Sequence, residues 1–204
     1  VDGLVSPKRL GVGGFTLAAE RAGHRVLWAA NHNQKAVDWH ALNHPATIHR
    51  CQDLQQADFT QVPNHDTLLS SPACQGHSLG RGVDLPRHDA QRATAWAVVT
   101  CLEVHRPASF IIENVERFRL WQLYPALRQA VAALGYTCEE LVLDAADFGV
   151  PQNRVRLFLV GTRGKAPNIQ LPPKVPPVPA SSFLRMNEGV WRPVARKGRS
   201  PATL

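Results

Sequence analysis

The chain has 204 residues, of which 44% are hydrophobic and 19% are charged. This composition can bury a core and excludes disorder over the whole length, so we expect one soluble domain, or one domain with an appendage. No stretch approaches the roughly 18 consecutive apolar residues that a membrane-spanning helix needs, and no secretory leader pattern opens the chain. A cytoplasmic protein is therefore expected.

The net charge of +7 is carried entirely by the last part of the chain. Residues 1–162 contain 15 Lys and Arg against 15 Asp and Glu, whereas residues 163–204 contain 8 against 1. The same tail holds 8 of the 16 prolines, and its segment LPPKVPPVP favours extended polyproline II. We place a boundary near Gly161. The basic tail either lies against phosphates or is a solvated linker, and the two are compatible.

Short apolar runs alternate with helical stretches along the body of the chain. Runs of strand length occupy 24–30, 66–71, 108–114, 137–143 and 155–161, and a further strand is expected before Asp53. Helices are predicted over 15–23, 34–43, 89–105 and 123–135. This alternation predicts an α/β fold, a mostly parallel sheet with helices on both faces. Such sheets bind ligands at the carboxyl ends of their strands.

Glycines and polar residues mark the expected strand ends. The turn LGVGGF (10–15) opens the first helix, and its glycines let the backbone approach a ligand at a helix amino terminus. Asn31 and His32 follow the second strand, and Asp53 follows the third. A carboxylate there can accept a hydrogen bond from an exocyclic amine or a ribose hydroxyl of a nucleoside-like cofactor. For each residue taken alone, ordinary loop polarity is the alternative.

The four cysteines lack CxxC spacing and are interpreted as free thiols. Cys74 lies in SPACQGHS (71–78), where a buried strand runs into a loop, which is a suitable place for an exposed thiolate nucleophile. The alternative is a buried structural thiol. That alternative fits Cys101, in the middle of a helix, and Cys138, in a strand, better than it fits Cys74.

Two further segments carry charged residues at strand ends. Glu113 follows two isoleucines in IIENV (111–115), and it is a candidate proton donor or, alternatively, a cap of the next helix. Gln152, Arg154 and Arg156 occupy alternate positions in PQNRVRLFLVG (151–161). Because alternate residues of a strand share a face, the amide and the two guanidinium groups are expected to converge on one site.

The ordered series GxGG, SPACQGHS, ENV and PQNRVRLFLVG resembles the cytosine-5 DNA methyltransferase family, in its bacterial or phage form, over roughly residues 10–162. The resemblance implies a Rossmann-like, S-adenosylmethionine-dependent methyltransferase fold for residues 1–162. It implies that residues 163–204 form a basic, proline-rich linker and the start of a target recognition region. The implied activity is that of a DNA (cytosine-5-)-methyltransferase, which flips its target cytosine out of the double helix.

The resemblance also implies roles for individual residues. Cys74 matches the nucleophile that adds to carbon 6 of cytosine, which activates carbon 5 toward the methyl donor. Glu113 matches the glutamate that hydrogen-bonds ring nitrogen 3 and the exocyclic amine. Arg154 and Arg156 match arginines that hold the base and the catalytic loop, with Gln152 in support.

The cofactor implied is S-adenosylmethionine, and no metal is expected. Its binding residues by resemblance are Gly11, Gly13, Gly14, Phe15, His32, Asp53 and Leu54. Asp53 corresponds to the residue that binds the adenine amine, with Leu54 beside the ring, and His32 stands where many members carry a ribose-binding acid. The partner implied is double-stranded DNA. A cognate restriction endonuclease is a further candidate partner, and we expect a monomer.

Three departures from the family pattern affect these expectations. The family's DLFxGxGG is replaced by VDGLVSPKRLGVGG, which lacks the aromatic residue before the glycines and has Lys8 and Arg9 where the buried first strand should end. Ala73 replaces the proline that usually precedes the cysteine. The sequence ends at Leu204, just into the expected recognition region. We therefore expect an amino-terminal catalytic fragment or shortened form. The alternatives are an inactive remnant that at most binds S-adenosylmethionine or DNA, and an RNA cytosine-5 methyltransferase.

Overall fold

The computed structural model describes residues 13–73 and 94–184, together with the backbone of residues 3–7. The strands in these ranges are β1 (Gly3–Pro7), β2 (Arg25–Asn31), β3 (Ile48–Cys51), β4 (Thr67–Ser70), β5 (Ser109–Asn114), β6 (Tyr136–Asp144) and β7 (Val155–Arg163). The helices are α1 (Gly14–Arg21), α2 (Gln34–Asn43), α3 (Thr94–His105) and α4 (Tyr124–Ala133). No helix in the described ranges is long and apolar enough to cross a membrane.

The strands form one sheet in the order β3-β2-β1-β4-β5-β7-β6. Strands β1 to β5 pair in parallel, whereas β7 runs antiparallel to both β5 and β6. The chain crosses from one half of the sheet to the other between β3 and β4, so β1 and β4 flank the position at which parallel sheets bind ligands. The predicted mostly parallel α/β sheet is confirmed.

Helices cover both faces of the sheet. Successive residues of its inner strands point to opposite faces, and here the side chains on both faces are apolar and must be buried. Leu68, Phe110 and Ile112 are buried in one cluster with residues of α3 and α4. Leu69 and Ile111 contribute to a second cluster that contains Ala19 of α1. These strands are thus apolar on both sides, which is why continuous apolar runs could predict them.

The contact between β5 and β7 depends on a glycine. Phe110 pairs with Gly161, and a Cβ atom at Gly161 would lie 2.1 Å from Cε1 of the Phe110 ring. The ring also makes an edge contact with Tyr136 of β6, whose hydroxyl donates to the carbonyl of Pro107 at 2.7 Å. Phe110 therefore holds the antiparallel pair β6 and β7 against the parallel strands.

The predicted elements agree with the structure in the described ranges. The five apolar runs coincide with β2, β4, β5, β6 and β7, and the third strand precedes Asp53 as expected. The first strand, whose sequence departs from the family pattern, is present as residues Gly3–Pro7, which pair with both β2 and β4. Of the helix expected over 89–105, residues 89–93 lie outside the described ranges, and α3 begins at Thr94.

The described part of the proline-rich tail is extended and mostly exposed. Residues 164–179 form neither helix nor strand, as the prolines predict, and a short 3₁₀ turn (Ala180–Ser182) follows. The tail contacts the body where the amide of Val175 donates to the carbonyl of Asp147 at 2.9 Å. The ammonium group of Lys174 lies 2.6 Å from the Asp147 carboxylate. Residues 185–204, which include most of the basic residues of the tail, lie outside the described ranges.

Candidate functional site

The glycine-rich turn leads into α1 through Gly13, whose backbone conformation favours glycine. Gly13 caps α1 with φ of 98° and ψ of 29°, in the left-handed region that other residues rarely adopt. A Cβ atom at this position would also lie 2.3 Å from Nε2 of His44. Phe15 lies in the first turn of α1 and is half-buried, whereas Gly14 is exposed. Gly11 falls outside the described ranges.

Polar residues follow β2 and β3 at the same edge of the sheet. Asn31 is buried, and its side-chain oxygen accepts a hydrogen bond from the amide of Asn33 at 2.9 Å. His32 is exposed beside it. Asp53 is also exposed, and one of its carboxylate oxygens accepts from the amide of Gln55 at 3.1 Å. The structure therefore brings His32 and Asp53 to neighbouring strand ends, as predicted.

The residue after Asp53 has a different environment. Leu54 is 2% exposed and belongs to the main hydrophobic cluster. The loop between β3 and β4 is thereby anchored in the core, while the preceding carboxylate remains accessible. The Asp53 carboxylate is thus available as a hydrogen-bond acceptor, whereas the Leu54 side chain has almost no surface to offer a ligand.

A cluster of histidines lies behind the glycine turn, and sequence reasoning missed it. Nδ1 of His40 is 2.7 Å from Nε2 of His49, and its Nε2 is 2.8 Å from the hydroxyl of Thr16 in α1. Nδ1 of His44 is 3.0 Å from the carboxylate of Glu20. Burial, followed by the nearby His44 and His49, lowers the pKa of His40 to about 4. His40 lies in the last turn of α2 and His44 is its C-cap, and this spacing of four residues was a signal that the two side chains lie on one side of the helix.

Glu113 lies at the end of β5 and is held from both sides. Nε of Arg156 forms an ion pair with one carboxylate oxygen, at an N···O distance of 2.9 Å, and the hydroxyl of Ser71 donates a hydrogen bond to the other at 2.5 Å. The Glu113 and Arg156 side chains are 17% and 21% exposed. Glu113 does not cap the 3₁₀ turn that follows, since that cap is Val115 and makes no side-chain hydrogen bond. The capping alternative for Glu113 is therefore wrong.

The loop that leads toward Cys74 is fixed beside Glu113. The side-chain amide of Asn114 donates to the carbonyl of Pro72 at 3.1 Å, and the amide of Ala73 donates to the hydroxyl of Thr94 at 3.0 Å. Cys74 itself lies outside the described ranges. The replacement of the usual proline by Ala73 thus supplies an amide hydrogen that is used to anchor the loop.

Arg154 and Arg156 approach the same site because β7 runs antiparallel. Its first residues therefore lie at the edge where β4 and β5 end, with Asn114 paired to Leu157. The amide of Arg154 donates to the Asp144 carboxylate at 2.7 Å, which fixes the entry into the strand. Both arginines line a common cavity, in agreement with the prediction.

Gln152 does not share this arrangement. Its amide donates to the carbonyl of Val150 at 2.7 Å, which closes a tight turn rather than extending the strand. Gln152 is exposed and is not among the residues that line the cavity. The expectation that the Gln152 side chain converges with the two guanidinium groups was wrong, because the extended strand β7 begins only at Val155 and residue 152 lies in the turn before it.

The cavity has a volume of about 340 Å³. Within the described ranges its walls are mainly apolar, with one carboxylate, one hydroxyl and two guanidinium groups, and the lining residues there are Phe15, Ser71, Glu113, Leu143, Ala145, Phe148, Arg154, Arg156 and Phe158. The dimensions fall at the small end of ligand pockets. Apolar walls with a few convergent polar groups at one side suit a planar, polar heterocycle.

The remaining cysteines have distinct environments. Cys101 is fully buried in α3, and burial raises its pKa to about 12. Burial also raises the pKa of Cys138, in β6. Both are therefore poor thiolates, which agrees with their prediction as structural thiols. Cys51 is exposed at the end of β3.

Relatives of known class match most of the chain. Type II methyltransferase M.NlaX of Neisseria lactamica is 32% identical over 157 residues, which cover 74% of this chain and 49% of that protein. Type II methylase M.HgiEI of Herpetosiphon aurantiacus is 33% identical over 164 residues, which cover 76% of this chain and 36% of that protein. The chain thus spans at most about half the length of these relatives.

Solved structures share the fold. A DNA modification methyltransferase encoded within a prophage of E. coli superposes with a TM-score of 0.67 at 26% identity, over 80% of this chain and 47% of that one. DNMT2 of Spodoptera frugiperda gives a TM-score of 0.71 at 22% identity, over 86% and 57%, a likeness of fold alone. The expected methyltransferase fold is confirmed. Residues 9–188 match the model of the C-5 cytosine-specific DNA methylases, and the chain belongs to that family.

Proposed function

We propose that this chain is the catalytic part of a DNA (cytosine-5-)-methyltransferase, which transfers a methyl group from S-adenosylmethionine to carbon 5 of a flipped cytosine. The observation that carries the proposal is the environment of Glu113. Its carboxylate is oriented by Ser71 and Arg156 in the wall of a base-sized cavity, and residues 71–73 lead from that point to Cys74.

Cytosine carbon 5 is a poor nucleophile, so the reaction needs covalent activation. In the proposed mechanism the thiolate of Cys74 forms a bond to carbon 6, and the electron pair of the 5,6 double bond becomes available at carbon 5. After methyl transfer, loss of the proton from carbon 5 and elimination of the Cys74 thiolate restore the aromatic ring. A base inside a stacked duplex cannot be attacked in this way, which is why the target must be flipped out.

Glu113 supplies the electrostatic part of this mechanism. The carboxylate can accept from the exocyclic amine of cytosine and share a proton with ring nitrogen 3, where negative charge develops as the thiolate adds. Arg156 holds the carboxylate through Nε, and Arg154 lies in the same cavity wall. The two guanidinium groups would stabilise the bound base and the loop that carries Cys74.

The residues at the ends of β2 and β3 fit S-adenosylmethionine, which when bound supplies an electrophilic methyl group. Asp53 offers an exposed carboxylate for an adenine amine, with Leu54 as an apolar neighbour. The ring nitrogens of His32 can bind ribose hydroxyls. The turn at Gly13 and Phe15 lies between these groups and the cavity that contains Glu113, so we assign it to the methionine end of the cofactor. Gly11 and Gly14 are assigned to the same turn from the sequence.

The domain division and the partners belong to the same proposal. We assign residues 1–162 to the cofactor-binding catalytic domain and residues 163–204 to the linker and start of a target recognition region. The absence of helix and strand over 164–179 supports the linker. Double-stranded DNA is the proposed partner. Because the relatives are named type II methyltransferases, a companion restriction endonuclease is proposed as well.

The test is methyl transfer by the full-length protein from isotopically labelled S-adenosylmethionine. We expect label in the 5-methylcytosine of double-stranded DNA and no label when Cys74 is changed to Ala. Label confined to RNA would replace DNA by RNA as the substrate. No label in either nucleic acid, from a folded protein that binds S-adenosylhomocysteine, would contradict the proposal and favour an inactive remnant.

A further inference from the structure

Ser71 makes a contact with Glu113 that the sequence pattern did not reveal. Ser71 follows β4 directly and is 5% exposed. Its hydroxyl donates to Oε2 of Glu113 at 2.5 Å, in the range typical of a hydroxyl bonded to an ionised carboxylate. The two residues are 42 positions apart in the chain, and the pairing of Ser70 with Ile112 sets them side by side.

The two donors together restrict the Glu113 carboxylate. The terminal torsion of a glutamate side chain is broad when nothing holds it. Here Arg156 forms an ion pair with Oε1 and Ser71 donates a hydrogen bond to Oε2, so rotation of the carboxylate about that torsion would move both oxygens away from these partners. The two contacts therefore restrict the plane of the carboxylate relative to the cavity, and within the described ranges no other contact of the Glu113 carboxylate is recorded.

We propose that Ser71 is a positioning residue for Glu113: its hydroxyl, opposite Arg156, fixes the carboxylate in the orientation that meets nitrogen 3 and the exocyclic amine of the target cytosine. The inference rests on the proposed function of this site. It assigns Ser71 a role that acts through Glu113, so its loss affects the chemical step rather than the binding of DNA or cofactor.

Residues 72 and 73, the described start of the loop, have anchors other than the Ser71 hydroxyl. Pro72 is held by the side chain of Asn114, and Ala73 by the hydroxyl of Thr94. Both anchors remain when Ser71 is replaced by Ala. A Ser71→Ala variant is thus expected to fold normally and to keep the approach to Cys74, which separates positioning of Glu113 from support of the loop.

The test compares Ser71→Ala and Ser71→Thr in the full-length protein by steady-state methyl transfer to DNA. Hydrogen bonds to charged groups contribute enough to predict that Ser71→Ala lowers kcat by about tenfold to a hundredfold. The KM for DNA and the affinity for S-adenosylhomocysteine should stay near the wild-type values. Ser71→Thr keeps a hydroxyl and should restore most of the rate.

A matched control removes a hydroxyl hydrogen bond between the same two strands at their opposite ends. The hydroxyls of Ser109 and Thr67 are 2.8 Å apart, and Ser109→Ala should leave kcat unchanged. Three results would overturn the role of Ser71 alone. The first is a wild-type rate for Ser71→Ala in an otherwise active enzyme, and the second is a fall in the thermal stability and DNA affinity of Ser71→Ala equal to its fall in rate. The third is a Ser71→Thr variant that is as slow as Ser71→Ala. An inactive wild-type protein would overturn the proposed function, and this inference with it.

Discussion

At the scale of single residues, the site depends on contacts that join distant parts of the chain. Glu113, Arg156 and Ser71 come from three different strands or their ends, and each is placed by its strand register. Glu113 receives a guanidinium on one oxygen and a hydroxyl on the other. The carboxylate is consequently oriented by the protein itself, and in the proposed function this is useful because catalytic groups are most effective when they are preorganised.

Replacing Glu113 by Gln tests this carboxylate directly. Gln keeps the size of the side chain but cannot share a proton with ring nitrogen 3, so we expect kcat to fall by about a hundredfold to a thousandfold. Affinity for S-adenosylhomocysteine, measured by calorimetry, should be unchanged. Glu116→Gln is the control, because Glu116 is exposed and pairs only with Arg119 on the surface among the described contacts. Equal losses of rate and cofactor affinity in Glu113→Gln would instead indicate a structural role.

At the scale of elements, α1, α2 and β3 meet in the histidine cluster behind Gly13. His40 is fully buried and bonded to Thr16 and His49, and its pKa is lowered to about 4, mainly by burial. The histidine is therefore neutral in the folded protein at neutral pH. Gly13 packs so closely against His44 that a Cβ atom would not fit between them. The turn before α1 is therefore in direct contact with this cluster.

The cluster predicts a loss of stability in acid. The unfolded chain binds a proton at His40 below about pH 6.5, whereas the folded chain binds it only near pH 4. The free energy of unfolding should therefore fall as the pH drops from 6.5 to 4, by at most about 3 kcal/mol from this residue. Denaturant titrations at several pH values between 4 and 7 would measure this change in the free energy of unfolding.

The corresponding variant is His40→Gln, whose free energy of unfolding should change less with pH over this interval than that of the wild type. His32→Gln, at an exposed histidine, serves as the control and should keep the wild-type pH dependence. If the His40 variant and the wild type lose stability in parallel between pH 6.5 and 4, the assignment of a buried neutral histidine is wrong.

At the scale of the whole molecule, the antiparallel β7 is what completes the site. It delivers Arg154 and Arg156 to the edge at which β4 and β5 end, and it brings the residues of β6 that close the cavity. A seventh strand in the parallel direction would place these arginines at the opposite edge of the sheet. The order of strands thus explains why motifs far apart in the chain share one cavity.

The basic tail can be tested by the salt dependence of DNA binding. If Arg196, Lys197 and Arg199 contact phosphates, changing all three to Gln should reduce the slope of log K against log salt by up to about 3. The control is Arg25→Gln, an exposed residue at the opposite edge of the sheet, which should leave the slope unchanged. An unaltered slope for the triple variant would identify the tail as a solvated linker.

Sequence patterns predicted β2 to β7 because buried strands of a parallel sheet are apolar on both faces. The first strand was indicated less clearly, since Ser6, Pro7 and Lys8 interrupt its apolar pattern, and its pairing with β2 and β4 became visible only in the structure. They placed His32, Asp53, Glu113, Arg154 and Arg156 at the sheet edge. The contact of Ser71 with Glu113 and the contacts of the histidine cluster depend on side chains that meet across strands and helices, which no local pattern encodes.

The most direct test of a covalent cytosine methyltransferase is adduct formation on DNA that contains 5-fluorocytosine. Fluorine at carbon 5 cannot leave as a proton does, so the enzyme remains bonded to the base after methyl transfer. We expect the full-length protein with S-adenosylmethionine to form a denaturation-resistant complex with this DNA, and Cys74→Ala to form none. An adduct that persists in Cys74→Ala, or a folded, cofactor-binding wild type that forms no adduct, would contradict the account.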